Sequence, residues 1–420
     1  MRIERSRGER FDPRVFKFLR TEFRTALSLP FSALLWNARL AAARSAGLKV
    51  LIHSVDGPGY LPFAVPTWEC LARSERRAEI AFYVAARPSE QREVAESVRG
   101  GLLPCRGVIP SWTCAALLAY DLFLTTHQSS AVPLVRRSPR LCTFHGLPAK
   151  GGTFVPGEWR HLDGAFLHGP LQRRLFEELE SSEGEKVGRW SRDVGYPKSD
   201  ALVRGEYRRA DTLSRLGLDP DSQTVLYAPS WEDGGALRHW GMKVVECLLD
   251  VGVQLIVKLH PMSYYPPTNT HATGGVDWTA ELDAFREGRA GFVHVRGGDV
   301  APLVAGCDLL VTDVSSVAYE AFLVDRPVVF LDVPRFFEVT VGQMYGIGPD
   351  EARSDLRYNC GRQAGQVVAD PPALGEAVRR GLSNPAEMAV ERRDLRDQLI
   401  FNPGEGAEHT ARAILEVLGL

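Results

Sequence analysis

Four stretches of this chain end apolar runs on residues that can do chemistry. In LCTFHGLPAKGG, Leu141–Gly152, the run reaches His145, breaks at Gly146 and meets Lys150. A buried strand delivers its last side chain to the rim of a sheet, where open α/β folds place ligands. The plain alternative is a loop histidine. In LIVKLHP, Lys258 and His260 lie two residues apart, so a strand puts them on one side, where its exposed end could meet a phosphate. Lys258 could instead reach solvent along its own stem. In VTDVSSVAYE, a strand ends at Thr312-Asp313 and a helix is expected from about Ser315. A helix start offers unpaired N–H groups and partial positive charge, and Ser315 and Ser316 add hydroxyl donors for a phosphate. Glu320, one turn on, could accept from ribose hydroxyls; the alternatives are an ordinary cap and a solvated helix face. In LYAPSWED, Ser230 and Trp231 follow a fourth strand, and Trp231 or Tyr227 could stack a base or pack in the core. Together these stretches point to a nucleotide-diphosphate site.

The elements that must carry them alternate. Strands are expected at 48–55, 78–85, 121–126, 140–145 and 163–169, with helices near Pro66–Arg77, Ser89–Val98, Pro110–Tyr120 and Pro170–Glu180. A polar stretch at 206–223 marks a boundary, after which strands recur at 224–231, 253–261, 291–295, 307–313 and 327–333. Such alternation argues for parallel sheets covered on both faces. The division expected is a basic, aromatic-containing helical extension over 1–48, a first Rossmann-like domain over 49–205, and a second over 206–420 with terminal helices.

Taken in order, FHGLPAK, GYPKSD, LYAPSWED, KLHP and VTDVSSVAYEAFLVDRPVVFLD resemble the CDP-glycerol glycerophosphotransferase family. That resemblance implies a GT-B-like fold, an acceptor half followed by a nucleotide-donor half, and work on teichoic-acid-type polymers at the inner membrane face. It implies His145 as general base, with Gly146 and Lys150 beside it, and His260, Asp313, Ser315 and Ser316 around the donor phosphates with Lys258. Lys198 stands where the family usually has arginine, keeping the charge without the fork. By position His53 and the loop DGPGYLP could touch the acceptor, whereas His127 and His168 read as structural. The donor implied is CDP-glycerol or a similar nucleotide, the acceptor a hydroxyl of a lipid-linked saccharide. Neither a cofactor nor a metal is required.

Composition sets the outer limits. A chain of 420 residues with 24% charged residues and net charge −2 gives no sign of nucleic-acid binding. Seven scattered cysteines form no CxxC pair, which favours a reducing compartment and no zinc site. The amino terminus lacks a signal-peptide pattern, and its longest uncharged stretch, 25–38, is interrupted by Pro30, so a cytoplasmic protein is expected. The first 49 residues nevertheless hold eleven lysines and arginines against four acids, interleaved with phenylalanines. Such a helix suits an anionic membrane surface, or simply packs on the domain behind it. Other readings stay open: a GT-B glycosyltransferase with a nucleotide sugar, a sugar-nucleotide 2-epimerase, or a nucleotide-binding relative without chemistry.

Overall fold

The structure is a computed structural model that describes residues 31–99, 105–111, 113, 118–128, 138–148, 154, 159, 161–183, 189–286 and 289–420. The first sheet contains β1 (Lys49–Asp56), β2 (Ile80–Ala86), β3 (Cys105–Pro110), β4 (Leu122–Thr125), β5 (Arg140–Cys142), β6 (Gly164–Leu167) and β7 (Arg192–Asp193). The second contains β8 (Thr224–Tyr227), β9 (Gln254–Val257), β10 (Phe292–His294), β11 (Leu309–Thr312), β12 (Val328–Leu331) and β13 (Gln366–Val368). Their orders are β3-β2-β1-β4-β5-β6-β7 and β10-β9-β8-β11-β12-β13, and the pairs are parallel. β2, β4, β8, β11 and β12 are buried from end to end, as near-continuous apolar runs must be in a sheet covered on both faces. This is the two-part, GT-B-like α/β architecture expected from the sequence.

Strand order reverses between β1 and β4 in one sheet and between β8 and β11 in the other. At such a switch point neighbouring loops leave in opposite directions and open a crevice at the carboxyl ends of the strands. The candidate residues following β4, β5, β8, β9 and β11 therefore lie at these two ends.

The halves are not independent. Leu147, Leu171, Leu175, Tyr196 and Leu202 of the first half join the hydrophobic cluster built on the second sheet. The last helix, Gly406–Leu418, follows the second sheet in sequence, yet Ala411, Ala413, Ile414 and Leu418 sit in a first-half cluster with Leu61, Trp68 and Leu71. The chain that carries it back presses backbone on backbone. A Cβ on Gly169 would lie 2.0 Å from the Leu399 carbonyl oxygen, so only glycine lets that crossing close.

Several local expectations shift. The first helix after β1 runs over Leu61–Arg73 rather than from Pro66, because Pro62 occupies a first-turn position whose N–H has no helical partner to lose. Strands β3, β7 and β13 were not foreseen: they are short or, as in CRGVIP, interrupted by charge, glycine and proline. The helix expected over 110–120 lies mostly outside the described residues, as do residues 1–30 of the extension. The remainder of the extension is a helix over 31–45, held by buried Leu40 and Ala43, by Trp36 edge-on to Tyr83, and by Asn37 accepting from the Ala119 N–H. Among the described residues no helix is long and apolar enough to cross a membrane.

Candidate functional site

The second switch point is tied by one carboxylate. Asp313 is buried at the end of β11; its Oδ1 accepts from the Ser230 N–H at 2.7 Å. Its Oδ2 accepts from the Ser230 hydroxyl at 2.8 Å and from the Ala236 N–H at 2.7 Å. The loops after β8 and β11 are thereby locked together, which requires Gly235, whose Cβ would stand 2.6 Å from Ser230 Oγ. Asp313, as a carboxylate, only accepts, and here it accepts from protein donors; the Ser230 hydroxyl gives its proton to Asp313 and keeps only acceptor capacity.

The helix after β11 begins at Val317, with Ser316 as its cap residue. Neither serine behaves as an ordinary cap: Ser316 makes no side-chain capping bond, and Val317 N–H reaches Ser315 Oγ at only 3.5 Å. Both serines are half-buried. Exposed His260 follows β9 and starts the turn Pro261–Tyr264. Its Nδ1 accepts from the Met262 N–H at 3.2 Å, so in the neutral ring the proton resides on Nε2. Tyr264 secures that turn by donating to the Val295 carbonyl at 3.2 Å. Trp231 stacks on His260, with ring centres 6.0 Å apart, and meets His271 edge-on. Lys258 is buried, which lowers its pKa, with Asp299 opposing the shift.

In the first half, the backbone makes an abrupt change just before His145. Phe144 adopts φ of 58°, a left-handed conformation that costs a residue with a Cβ about 1–3 kcal/mol. Its buried ring is gripped by Phe154, Trp159 and His168, with centres 5.6–5.8 Å away. With the ring anchored inward, the turn sends His145 to the rim. There His145 Nδ1 lies 3.1 Å from the Thr126 carbonyl oxygen. A carbonyl only accepts, so Nδ1 carries the proton and Nε2 of the neutral ring is a lone pair. His127 stacks on His145 at 4.9 Å, while Tyr60 and Phe63 meet it edge-on. His127, whose sequence context reads as structural, thus stands against His145. Tyr60 brings the DGPGYLP loop there as well.

His53 does not join them. It is 1% exposed, its Nδ1 accepts from Trp68 Nε1 at 2.9 Å, and its Nε2 pairs with Thr143 Oγ1 at 3.1 Å. Burial lowers its pKa to about 3, so it stays neutral and braces the end of β1. Both ring nitrogens of His53 are thus used inside the core. Gly146 lies half-buried next to His145, and Lys150 lies outside the described residues.

Lys198 of the first half and Glu320 of the second are joined. Lys198 Nζ donates to both Glu320 oxygens, at 2.6 and 2.7 Å, and contacts Asp299 Oδ1 at 2.8 Å. Burial alone would depress the ammonium's pKa, but Glu320, Tyr196 and Asp299 hold it above its ordinary value. Lys198 also sits 5.6 Å over the Phe63 ring, the same ring that touches His145. A line of contacts therefore runs from the imidazole of the first half through Phe63 and Lys198 to the carboxylates of the second. Asp299, in the loop after β10, was missed because RGGDV reads as a plain turn.

The family match to known proteins falls on the part of the site that runs from Lys198 to Glu320. Residues 188–333 match the family CDP-Glycerol:Poly(glycerophosphate) glycerophosphotransferase, bearing out the resemblance read from the motifs. A teichoic acid glycerol-phosphate transferase of Staphylococcus aureus is 24% identical over 152 residues, 33% of this chain and 34% of that protein. A teichoic acid glycerol-phosphate primase of Bacillus spizizenii is 28% identical over 160 residues, 37% and 36% of the two chains. The aligned parts thus span about a third of each curated relative. In three dimensions the wall teichoic acid polymerase TagF superposes over 98% of this chain and 99% of its own, at 15% identity and a TM-score of 0.63. A UDP-GlcNAc 2-epimerase of Neisseria meningitidis, bound to UDP-GlcNAc, covers 88% of this chain and 100% of its own, at 12% identity and a TM-score of 0.54. At those identities the likeness is one of fold.

Proposed function

We propose that this chain transfers glycerol phosphate, or a related polyol phosphate, from a CDP-linked donor to a hydroxyl of a lipid-linked cell-surface polymer precursor. The observation that carries this reading is the pair of opposed histidine tautomers. With its proton on Nδ1, neutral His145 has an unprotonated Nε2, the form that takes a proton, and neutral His260 carries its proton on Nε2, the form that donates to a phosphate oxygen. The family match over 188–333 supports the donor class, as does a TagF histidine variant soaked with CDPG, similar to this chain with a TM-score of 0.62.

In this reading the acceptor hydroxyl loses its proton to His145 Nε2 as its oxygen attacks the phosphorus that bears glycerol. One oxygen–phosphorus bond forms, the bond to the second phosphate breaks, and CMP leaves. His260, Ser315 and Ser316 counter the charge growing on the departing phosphate. Phe63 and Tyr60 wall the imidazole, which favours the alcohol over water as nucleophile. The reaction is assigned to the inner membrane face of the cytoplasm, where the 31–45 helix would lay exposed Phe31, Leu34 and Leu35 and basic Arg39 against anionic lipid.

The test is CMP release from CDP-glycerol with the purified protein and a lipid-linked saccharide acceptor, beside CDP-ribitol and UDP-sugar donors. CDP-glycerol turnover is expected, reduced ~10²–10⁴-fold by His145→Asn with nucleotide binding intact. Turnover of CDP-ribitol would change the polyol and keep the mechanism. Turnover of a UDP-sugar alone would replace this reading with the glycosyltransferase one. Co-sedimentation with phosphatidylglycerol vesicles, but not with neutral ones, checks the membrane assignment.

A further inference from the structure

We propose that Lys198 is a positioning residue for the donor, a cation lent by the first half that keeps Glu320 of the second ionised, so that a ribose diol binds only when the halves are joined. This rests on the reading of a nucleotide site in the second half. The geometry is that of a clasp. Lys198 comes from the turn Pro197–Ser199, just after β7, whereas Glu320 lies on the helix after β11 and Asp299 in the loop after β10. All three are largely withdrawn from water, with side-chain exposures of 5%, 8% and 20%.

A buried carboxyl favours its neutral form, and burial does push Glu320 upward. Lys198 opposes that shift, whereas Asp299 adds to it. The other titratable groups of the cluster are Tyr196 and Tyr207, which stay neutral because burial raises both, and Lys258, whose charge bears on Asp299 and Lys198. Lys198 is thus the cation in direct contact with Glu320, while Lys258 faces Asp299.

Ionisation matters because of what a vicinal diol needs. Two hydroxyls donating in parallel require two acceptor oxygens, and a protonated carboxyl offers its O–H to one of them instead. A carboxylate has about four lone-pair sites, so two bonds from Lys198 leave room for two from a diol. The cation therefore prepares the acceptor without blocking it. Removing it turns donor affinity into a titration: each pH unit below the carboxyl's new pKa costs about tenfold in apparent affinity. The same contact makes ribose recognition depend on the halves being in register, since the counterion is anchored in the other half.

The experiment measures binding of CDP and 2′-deoxy-CDP by calorimetry from pH 5.5 to 8.5, for the wild type and for Lys198→Met, Lys198→Arg and Glu320→Gln. Above neutral pH the wild type should prefer CDP by a ratio that is flat. Lys198→Met should weaken CDP at pH 7 by at least about tenfold, with affinity recovering as pH rises, while 2′-deoxy-CDP changes little. Lys198→Arg should restore the flat profile, and Glu320→Gln should lose the preference with no slope. If Lys198→Met does not fold, Lys198→Gln, which keeps a donor but no charge, carries the same expectation. An unchanged preference and profile in the uncharged variants would overturn the clasp and leave the nucleotide reading intact. Failure of the wild type to bind either nucleotide would overturn both.

Discussion

His53 lies in β1 and His145 follows β5, two parallel strands of one sheet with β4 between them, and the two histidines have opposite fates. Each ends an apolar run, and each was a candidate from sequence. His53 lies in a strand whose backbone stays extended, so its ring remains between the sheet and the helix Leu61–Arg73 and both nitrogens are absorbed by Trp68 and Thr143. His145 is preceded by a backbone reversal at Phe144, whose ring is held by three aromatic neighbours, and the reversal turns the imidazole out of the layer. The lesson concerns cause. Residue type and strand-end position make a histidine eligible for chemistry; the local backbone decides whether it is delivered to a cleft or kept as a brace.

The comparison is sharpened most by acid. His53 and the equally buried His168 both have pKa values lowered to about 3 by burial, from 6.5. Between those values the unfolded chain binds more protons than the folded one, so stability rises with pH across that interval. It is fully present above pH 6.5 and is lost on acidification toward 3, with several kcal/mol at stake if both rings stay neutral in the fold. Denaturant midpoints for the wild type should fall steadily over this range. His53→Gln with His168→Gln should flatten the fall, and His145→Asn should leave it in place. A steep fall that survives the double substitution would erase the distinction between brace and reagent.

A smaller effect separates the two halves. In the second half the strand ends are held by a carboxylate rather than by buried rings, so the analogue of removing a brace is Asp313→Asn. An amide nitrogen must then face a backbone N–H that Asp313 formerly accepted, and one or two bonds to the loop are lost at about 1–3 kcal/mol each. Donor affinity should weaken about tenfold or more as Ser230 and the 228–236 loop loosen. Since His145 is untouched, kcat at saturating donor should stay within a few-fold of the wild type. Steady-state kinetics over donor concentration distinguishes the two. A collapse of kcat with unchanged KM would place Asp313 in the chemistry instead.

How much of this was legible follows the same physics. Buried parallel strands of the TVLY, LLVT and VVFL kind are near-continuous apolar runs, and they were found; edge strands such as CRGVIP lack that signal. His260 and the serine pair were legible because strand-to-helix punctuation is local. The Asp313 lock, the stacked His127 and the Lys198 clasp were not, because each depends on residues 18–122 positions apart that only the fold brings together. Phe144 was hidden for a different reason, since nothing in FHG announces a positive φ on an aromatic.

The smallest expected effect tests whether the two halves are tied by the returning chain as well as by side chains. Asp200, two residues after Lys198, accepts from the Gly406 and Ala407 N–H groups at 2.9 and 2.7 Å and so caps the last helix from another segment. Asp200→Ala should cost about 1 kcal/mol, the usual worth of a capping acceptor, visible as a lower thermal midpoint. Its acid behaviour should run opposite to that of His53. Burial raises the Asp200 carboxyl from 3.8 to about 6, with the two backbone donors pulling it back only in part. Between those values the folded state holds the extra proton, so this contribution is fully present below pH 3.8 and is lost as pH rises through 6. A carbon-13 carboxyl titration with a midpoint near 6 would bear this out. A midpoint below 3.8 would mean that the helix start outweighs burial, and that the last helix is pinned by charge rather than merely covered.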